Sequence, residues 1–217
     1  THRFEARYKG HLAGVMIFTV PNTFSKLIGE DTFKLEKLIS RGACISWSPK
    51  NLNSWLVMQS IKWMIANTEF RLFTAYSDTE AKELGAIYQA CSFIYLGKTS
   101  GSTLQFLDPN NEKIGWFNDR HFRHKSMYKK YADKLGIPAD VWKGYMKKYS
   151  PDWTIIPEDI RIKIKNEIIS YRKTCKVRTT QPKHKYVYIK GRNKNETKKL
   201  MRLFDLNNKA KEYPKIR

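Results

Sequence analysis

The apolar pattern changes period within residues 70–96. Phe70, Leu72, Phe73, Ala75 and Tyr76 form a short, aromatic-rich run whose length and composition predict a strand. Ser77 and Glu80 then stand three apart, the spacing of a capping box in which each side chain satisfies an amide of a new helix, so a helix is expected from about Asp78. Leu84, Ile87, Tyr88 and Cys91 recur at three- and four-residue steps and give one apolar stripe to lay on a sheet. A second apolar run at 93–96 closes the unit, which frames Tyr88 between two strands.

The rest of the chain sorts by the same reading. Residues 4–8 and 11–20 are expected as early strands. The second contains Gly14 and ends at Pro21, too short for a membrane span or signal peptide. Residues 35–47 read as a central strand region with Ile39, Arg41, Ala43 and Ile45 on one face, which sets Arg41 among apolar neighbours, where a charge needs a partner. A polar loop at 48–54 leads into an apolar helix at 55–66. Residues 97–115 are turn-rich, with Gly101 and Asp108-Pro109 as breaks. From 116 to 180 the chain is basic and helical, punctuated by Gly136-Ile137-Pro138, Ser150-Pro151 and Ile156-Pro157. Residues 182–190 have clear strand composition, and 195–208 a short helix before a basic tail. The fold class expected is α/β (α+β), a central mixed sheet flanked by helices. Its core comprises 1–115 and 182–217, with a helical insertion at 116–181. At 217 residues and 41% hydrophobic content the chain suits one full core with an appendage.

Charge adds a partner to this picture. The chain has 41 Lys and Arg against 20 Asp and Glu, a net of +21, and a pI near 9.9, values typical of proteins that bind nucleic acid or anionic surfaces. The first 100 residues carry +4 and the remaining 117 carry +17, which places the expected phosphate-binding surface in the second half. There, basic residues interleave with aromatics and histidines at His121-Phe122-Arg123-His124-Lys125, Tyr128-Lys129-Lys130-Tyr131 and Trp142-Lys143 through Lys147-Lys148-Tyr149. Lysines neutralise phosphates while aromatic faces stack on exposed bases; a single lysine on a helix face otherwise just solvates it. Three cysteines, Cys44, Cys91 and Cys175, suit reduced thiols better than a disulfide framework. His121 and His124 lack a Cys or acidic partner at ligand spacing, so no metal site is expected. No Walker loop, Ser-His-Asp order or dinucleotide fingerprint is present.

Candidate chemistry gathers around two turns. A strand feeding a polar loop and a helix N-terminus aims amides and a positive dipole end at one point, which suits phosphate or pyrophosphate; Asn51, Asn53 and Ser54 occupy that loop. Each residue also has a plainer reading. Arg41 can pair with a carboxylate at a strand end, Ser54 can cap its helix, Asp78 can stabilise its helix start through the dipole, and Tyr88 can be core. On a continuous helix Asp78 and Tyr88 would stand roughly 15 Å apart, which gives them separate jobs.

The segment AYSDTEAKELGAIYQA with its following aromatic-rich strand resembles the second half of the GNAT acyltransferase fold, and within it the phage Mom proteins, which modify adenine in DNA to N6-(carbamoylmethyl)adenine. The resemblance touches residues 38–97, 116–131 and 182–203 in order. The loop at 48–54 has no glycine, a departure from most GNAT members that Mom-like sequences share. The resemblance implies that Tyr88 protonates a departing coenzyme A thiolate, and that Arg41, Ser54, Asp78 and Tyr88 fall on functional positions. It implies acetyl-CoA or a related CoA thioester as cofactor, bound by Arg41, Asn51, Asn53 and Ser54, with Asp78 and Tyr88 catalytic. DNA contacts are expected at His121, Arg123, His124, Lys125, Lys129 and Lys130. The implied function is transfer of a carbamoylmethyl or acyl-derived group to the N6 amine of adenine in double-stranded DNA. It would act in the host cytoplasm, protecting phage DNA from restriction, without membrane association; the oligomeric state is left open, a homodimer included. The alternatives are a GNAT enzyme acting on a hypermodified pyrimidine, tRNA or a basic protein, and a DNA-binding protein without chemistry.

Overall fold

The computed structural model describes residues 1–21, 23, 26–99 and 103–215. Gly101, expected as a break, lies outside the described residues. The chain divides into two units, one of residues 1–101 with 181–217 and one of residues 102–180, so the expected boundary at 115/116 falls inside the second unit.

In the first unit β1 (His2–Tyr8) and β2 (His11–Thr19) form an antiparallel hairpin, followed by a single helical turn, α1 (Thr32–Leu35), and then β3 (Glu36–Cys44). Helix α2 (Leu52–Asn67) leads to β4 (Leu72–Ser77), the short α3 (Ala86–Ala90) and β5 (Ile94–Lys98). Helix α2 begins three residues earlier than its apolar pattern suggests because Leu52 N bonds to Pro49 O and Trp55 N to Asn51 O, so the polar loop itself supplies the first turn.

The chain then enters the second unit. β6 (Leu104–Leu107) and β7 (Phe117–Asn118) precede α4 (Lys125–Lys134), α5 (Ala139–Tyr145), α6 (Glu158–Thr174) and β8 (Lys176–Thr179). A three-stranded antiparallel sheet in the order β7-β6-β8 backs a small core of Phe106, Phe122 and Cys175. The helices enclose Met127, Tyr128, Tyr131, Ala132, Trp142, Ile156 and Ile164. Two of the prolines that punctuate this region sit where helices begin, Pro138 capping α5 and Pro157 capping α6, each with its φ already set for the turn to come, whereas Pro151 bridges to Met146. Glu158 and Asp159 at the start of α6, with Arg172 and Lys173 at its end, match the helix dipole.

Back in the first unit, β9 (His184–Ile189) inserts between β4 and β5, and α7 (Lys194–Asn207) follows. The six-stranded sheet reads β1-β2-β3-β4-β9-β5; β3 and β4 are parallel, and every other pair is antiparallel. This is the mixed α+β sheet expected from the sequence. One face packs Met16, Phe18, Phe73, Ala75, Phe93 and Tyr186 against α2. The other packs Leu72, Val187 and Ile189 against Leu200 and Phe204 of α7.

Two local expectations are corrected. First, Arg41 does not sit among apolar neighbours. The β2–β3 register pairs Ile17 with Arg41 but Phe18 with Ile39, so Ser40 is an extra, bulged residue, and one extra residue reverses the alternation. Ile39 is therefore buried and Gly42 turns toward the Met16 side chain, while Arg41 is exposed and, among the described residues, its guanidinium meets only Ser40 O at 3.5 Å. Second, the long helix from Asp78 does not form. Asp78 Oδ1 accepts from Glu80 N at 3.0 Å, a local turn that competes with helix initiation. Lys82 and Gly85 take φ of +56° and +66°, and only the five residues of α3 are helical. The 15 Å separation expected along a helix therefore does not apply.

The charge is also distributed differently. The unit of residues 102–180 holds 17 basic and 9 acidic residues, whereas the sheet-bearing unit holds 24 and 11. The segment 181–217, with 12 basic and 3 acidic residues, accounts for the difference, because it returns to the large sheet rather than joining the helical unit.

Candidate active site

Parallel pairing of β3 with β4 lasts only three residues, from Glu36–Leu72 to Leu38–Thr74. Both strands run on, to Cys44 and Ser77, without pairing to each other, β3 keeping β2 as its neighbour and β4 keeping β9. The opening beyond Leu38 and Thr74 is a cavity of about 530 Å³. Met16, Ile39, Gly42, Val57 and Leu84 give it an apolar wall; Asn53, Ser77, Lys82, Glu83 and Tyr88 supply polar groups. A pocket outside the carboxyl ends of diverging strands is where open α/β sheets commonly bind ligands. A larger groove of about 700 Å³ runs along β1 and α2 past Trp55 and Trp63, but it contains none of the expected site residues.

Tyr88 projects from α3 into the cavity. Its ring packs 5.4 Å from both Phe93 and Tyr186. Burial, reinforced by Glu83, Cys91 and Tyr186, pushes its hydroxyl pKa up to about 12, so at neutral pH it is a protonated acid. Burial also pushes the neighbouring Cys91 thiol up to about 11 and keeps it neutral.

Asp78 stands at the rim, in the turn after β4, and does not line the cavity. Both its carboxylate oxygens are engaged, Oδ1 by Glu80 N and Oδ2 by Lys183 at 3.3 Å. Its own amide donates to Glu83 Oε2 at 3.3 Å, which turns Glu83 toward the cavity it lines. Sequence reasoning passed over Glu83, since nothing in its spacing distinguishes it from the neighbouring Glu80.

At the start of α2, Asn53 reaches the cavity while Asn51 and Ser54 do not. Asn51 caps the helix without a side-chain bond, and Ser54 Oγ donates to Asn51 O at 3.1 Å. Ser54 is thus a first-turn residue rather than the cap. Arg41 lies outside this group.

The segment 78–88 is held by a strand about a hundred residues away in sequence. Thr79 Oγ1 donates to Pro182 O at 2.9 Å, Lys183 pairs with Asp78, and the Tyr186 hydroxyl donates to Leu84 O. Gln89 Nε2 also donates to Leu84 O, at 2.7 Å. A Cβ at Gly85 would lie 2.5 Å from the Tyr186 ring, so glycine is required there by contact as well as by its positive φ. Gly85→Ala is expected to destabilise the fold by about 2 kcal/mol, read by urea unfolding, and to displace Tyr88 from its place.

Beside this cluster His184, paired with Ser77, is buried and its Nδ1 lies 2.6 Å from the Tyr95 hydroxyl. Burial and then Lys98 lower its pKa below 6.5. The folded state thus keeps it neutral, and the stability this provides is full above about pH 6.5 and lost as pH falls through the lowered value. His2 and His121, also lowered chiefly by burial, act with the same sign. The melting temperature should fall between pH 7 and pH 5, and His184→Gln should flatten that fall.

In the second unit the six expected DNA-contact residues separate. The His121 ring packs 4.2 Å from Phe117 with its Nε2 buried, which is a packing role, and Arg123 is held by Asp119. His124, Lys125 and Lys129 line a cavity of about 790 Å³ together with Trp142, Lys143 and Lys148. Lys130 is exposed and outside it.

Among the described residues no helix is long and apolar enough to cross a membrane. No curated protein matches the chain. The sequence model of the Mom protein family, a family of phage DNA modification, matches residues 4–149. That span takes in the diverging strands, the start of α2, the turn at Asp78 and Tyr88, and with two thirds of its length matched the chain belongs to the Mom protein family.

Proposed function

We propose that the chain is a GNAT-type transferase that moves an acyl-derived group from a coenzyme A thioester to the N6 amine of adenine in duplex DNA, the new N–C bond forming as the C–S bond breaks. The observation that carries this reading is the cavity at the parting of β3 and β4, with a protonated tyrosine on one wall and a helix N-terminus on another.

The residues present suit such a donor. Asn53, in the first turn of the 16-residue α2, lines the cavity at a helix end whose dipole favours a pyrophosphate. The apolar wall of Met16, Ile39, Val57 and Leu84 suits a pantetheine arm. A bound thioester would supply the electrophilic carbon and the sulfur leaving group. Tyr88 then donates its proton to the departing sulfur, a task for which a hydroxyl that remains protonated throughout the neutral range is suited. The exocyclic amine is a weak nucleophile because its lone pair is delocalised into the ring, so its proton must be taken as the new bond forms. Glu83 is the carboxylate in the cavity and takes that role; Asp78 orients it through its amide and fixes the turn through Glu80 and Lys183. Arg41, exposed beyond the bulge, does not line this cavity.

The test is expression in bacteria, digestion of total DNA to nucleosides, and mass spectrometry. A modified deoxyadenosine that disappears with Glu83→Gln supports the reading. A modified pyrimidine would transfer the chain to another target base, and the absence of any new nucleoside would overturn it.

A further inference from the structure

Helices α4 and α5 of the second unit form the walls of an open groove with an apolar floor of Ala139, Trp142 and Met146. Its rim carries Lys125 and Lys129 from α4, Lys143 from α5, and Lys147 and Lys148 just beyond it. On α4 the two lysines stand one turn apart, about 6 Å along the axis. Among the described residues Lys147 is paired, with Asp152 at 2.9 Å, while Lys125, Lys129, Lys143 and Lys148 have no carboxylate within ion-pair distance. Asp133 is the acidic member of the lining.

Lysines scattered on helix faces usually serve only solvation, but these are ordered by the fold. Trp142 is 6% exposed and packs with Met127, Tyr128 and Tyr131, which locks α5 to α4 and fixes the separation of the two cationic rims. His124 accepts from Ser126 N and so caps α4, holding Lys125 at the groove's end. The cations are spread along an open channel rather than gathered on one point, and they are lysines, which act as point charges, rather than the arginine forks that grip a single phosphate bidentately. Such an array matches a run of phosphates and carries no base-reading chemistry.

We propose that the groove between α4 and α5 grips the sugar–phosphate backbone of duplex DNA, positioning the substrate without reading its sequence. This rests on the reading of the chain as a DNA-modifying enzyme and adds where that DNA is held.

The test uses the full chain and a fluorescein-labelled duplex, with binding followed by anisotropy across a series of potassium chloride concentrations. Each phosphate neutralised contributes about 0.9 to the slope of log K against log salt. The variant Lys125→Gln/Lys129→Gln/Lys143→Gln should therefore reduce the slope by about 2 to 3 and weaken binding at low salt by at least tenfold. Its melting temperature should stay near that of the parent, since all three side chains are exposed. Should the triple variant fold poorly, Lys143→Glu alone repeats the test and should lower the slope by about 1. An unchanged slope and affinity in a folded variant would overturn the proposal, as would a parent protein that does not bind the duplex. Nucleoside analysis separates the two readings. A new nucleoside made as well by the triple variant as by the parent, with unchanged binding, removes the groove and leaves the chemistry. Groove-dependent binding with no new nucleoside keeps the groove and removes the chemistry.

Discussion

Tyr88→Phe should lower formation of the modified nucleoside by a hundredfold or more and leave the melting temperature nearly unchanged. The two halves of that expectation come from different features of the same side chain. Its ring is structural, wedged between Phe93 and Tyr186, and phenylalanine keeps that packing. Its hydroxyl makes no hydrogen bond among the described residues, so removing it abandons no buried partner and costs little stability. What phenylalanine does remove is the one group in the cavity held as a neutral acid near 12, and loss of a positioned acid typically costs 10² to 10⁴ in rate. Donor binding, followed by calorimetry with a coenzyme A thioester, should persist in the variant. Equal loss of binding and turnover would show instead that the tyrosine shapes the cavity, and a variant with full activity would remove it from the mechanism.

Glu83→Gln offers a complementary contrast, because glutamine keeps the shape and can still accept from Asp78 N but cannot take a proton. Asp78→Asn tests the turn rather than the chemistry. It weakens the pairing with Lys183, so a loss of activity there should come with a loss of stability, whereas Glu83→Gln should separate the two.

Much of the sheet was legible because strands and helices announce themselves by period. The hairpin, the central strand, the apolar α2 and the aromatic β9 all lie within a few residues of their expected bounds. The site was less legible, for reasons that can be assigned to particular residues. The bulge at Ser40 adds one residue between Ile39 and Arg41, and no periodicity in β3 alone records a register that depends on β2. The capping spacing of Ser77 and Glu80 was overridden by the carboxylate of Asp78, which captures Glu80 N first. Tyr186, which fixes Leu84 and excludes any side chain at Gly85, lies a hundred residues from the turn it holds. Only the pairing of β9 beside β4 brings them together. In the same way β6, within a stretch that reads as turns, becomes a strand because β8 returns to pair with it. The missing information in each case is long-range.

The largest stability effect is expected at Arg71, where the sequence shows only a charge at the edge of an apolar run. Arg71 is 3% exposed. Its Nε donates to Glu196 Oε1 at 3.0 Å, and one guanidinium nitrogen donates to both Thr68 O and Phe70 O at 2.7 Å. Its backbone joins the same knot, N to Leu35 O and O from Lys190 N. The end of α2, the starts of β4 and α7, and the end of β9 are thus tied through one residue. Glu196 is the exposed partner, with about a third of its side chain accessible, so solvent softens its loss; the two carbonyls have no such relief. Breaking a buried pair by removing one member costs about 3 to 5 kcal/mol, and the lower end applies here. Arg71→Ala should therefore lower unfolding stability by about 3 kcal/mol in urea. Arg71→Lys should recover only part of that, since an ammonium group does not span the three acceptors. A pH signature accompanies the loss. Burial alone would raise the Glu196 carboxyl pKa, but hydrogen bonds from Arg192 N and Arg71 outweigh it and hold the value below 4.5. The stability so contributed is present above about pH 4.5 and lost as pH falls through the depressed value. The alanine variant should show a smaller acid dependence in that window than the parent. An unchanged acid dependence with full stability would mean that α7 is held by its apolar face alone, through Leu200 and Phe204.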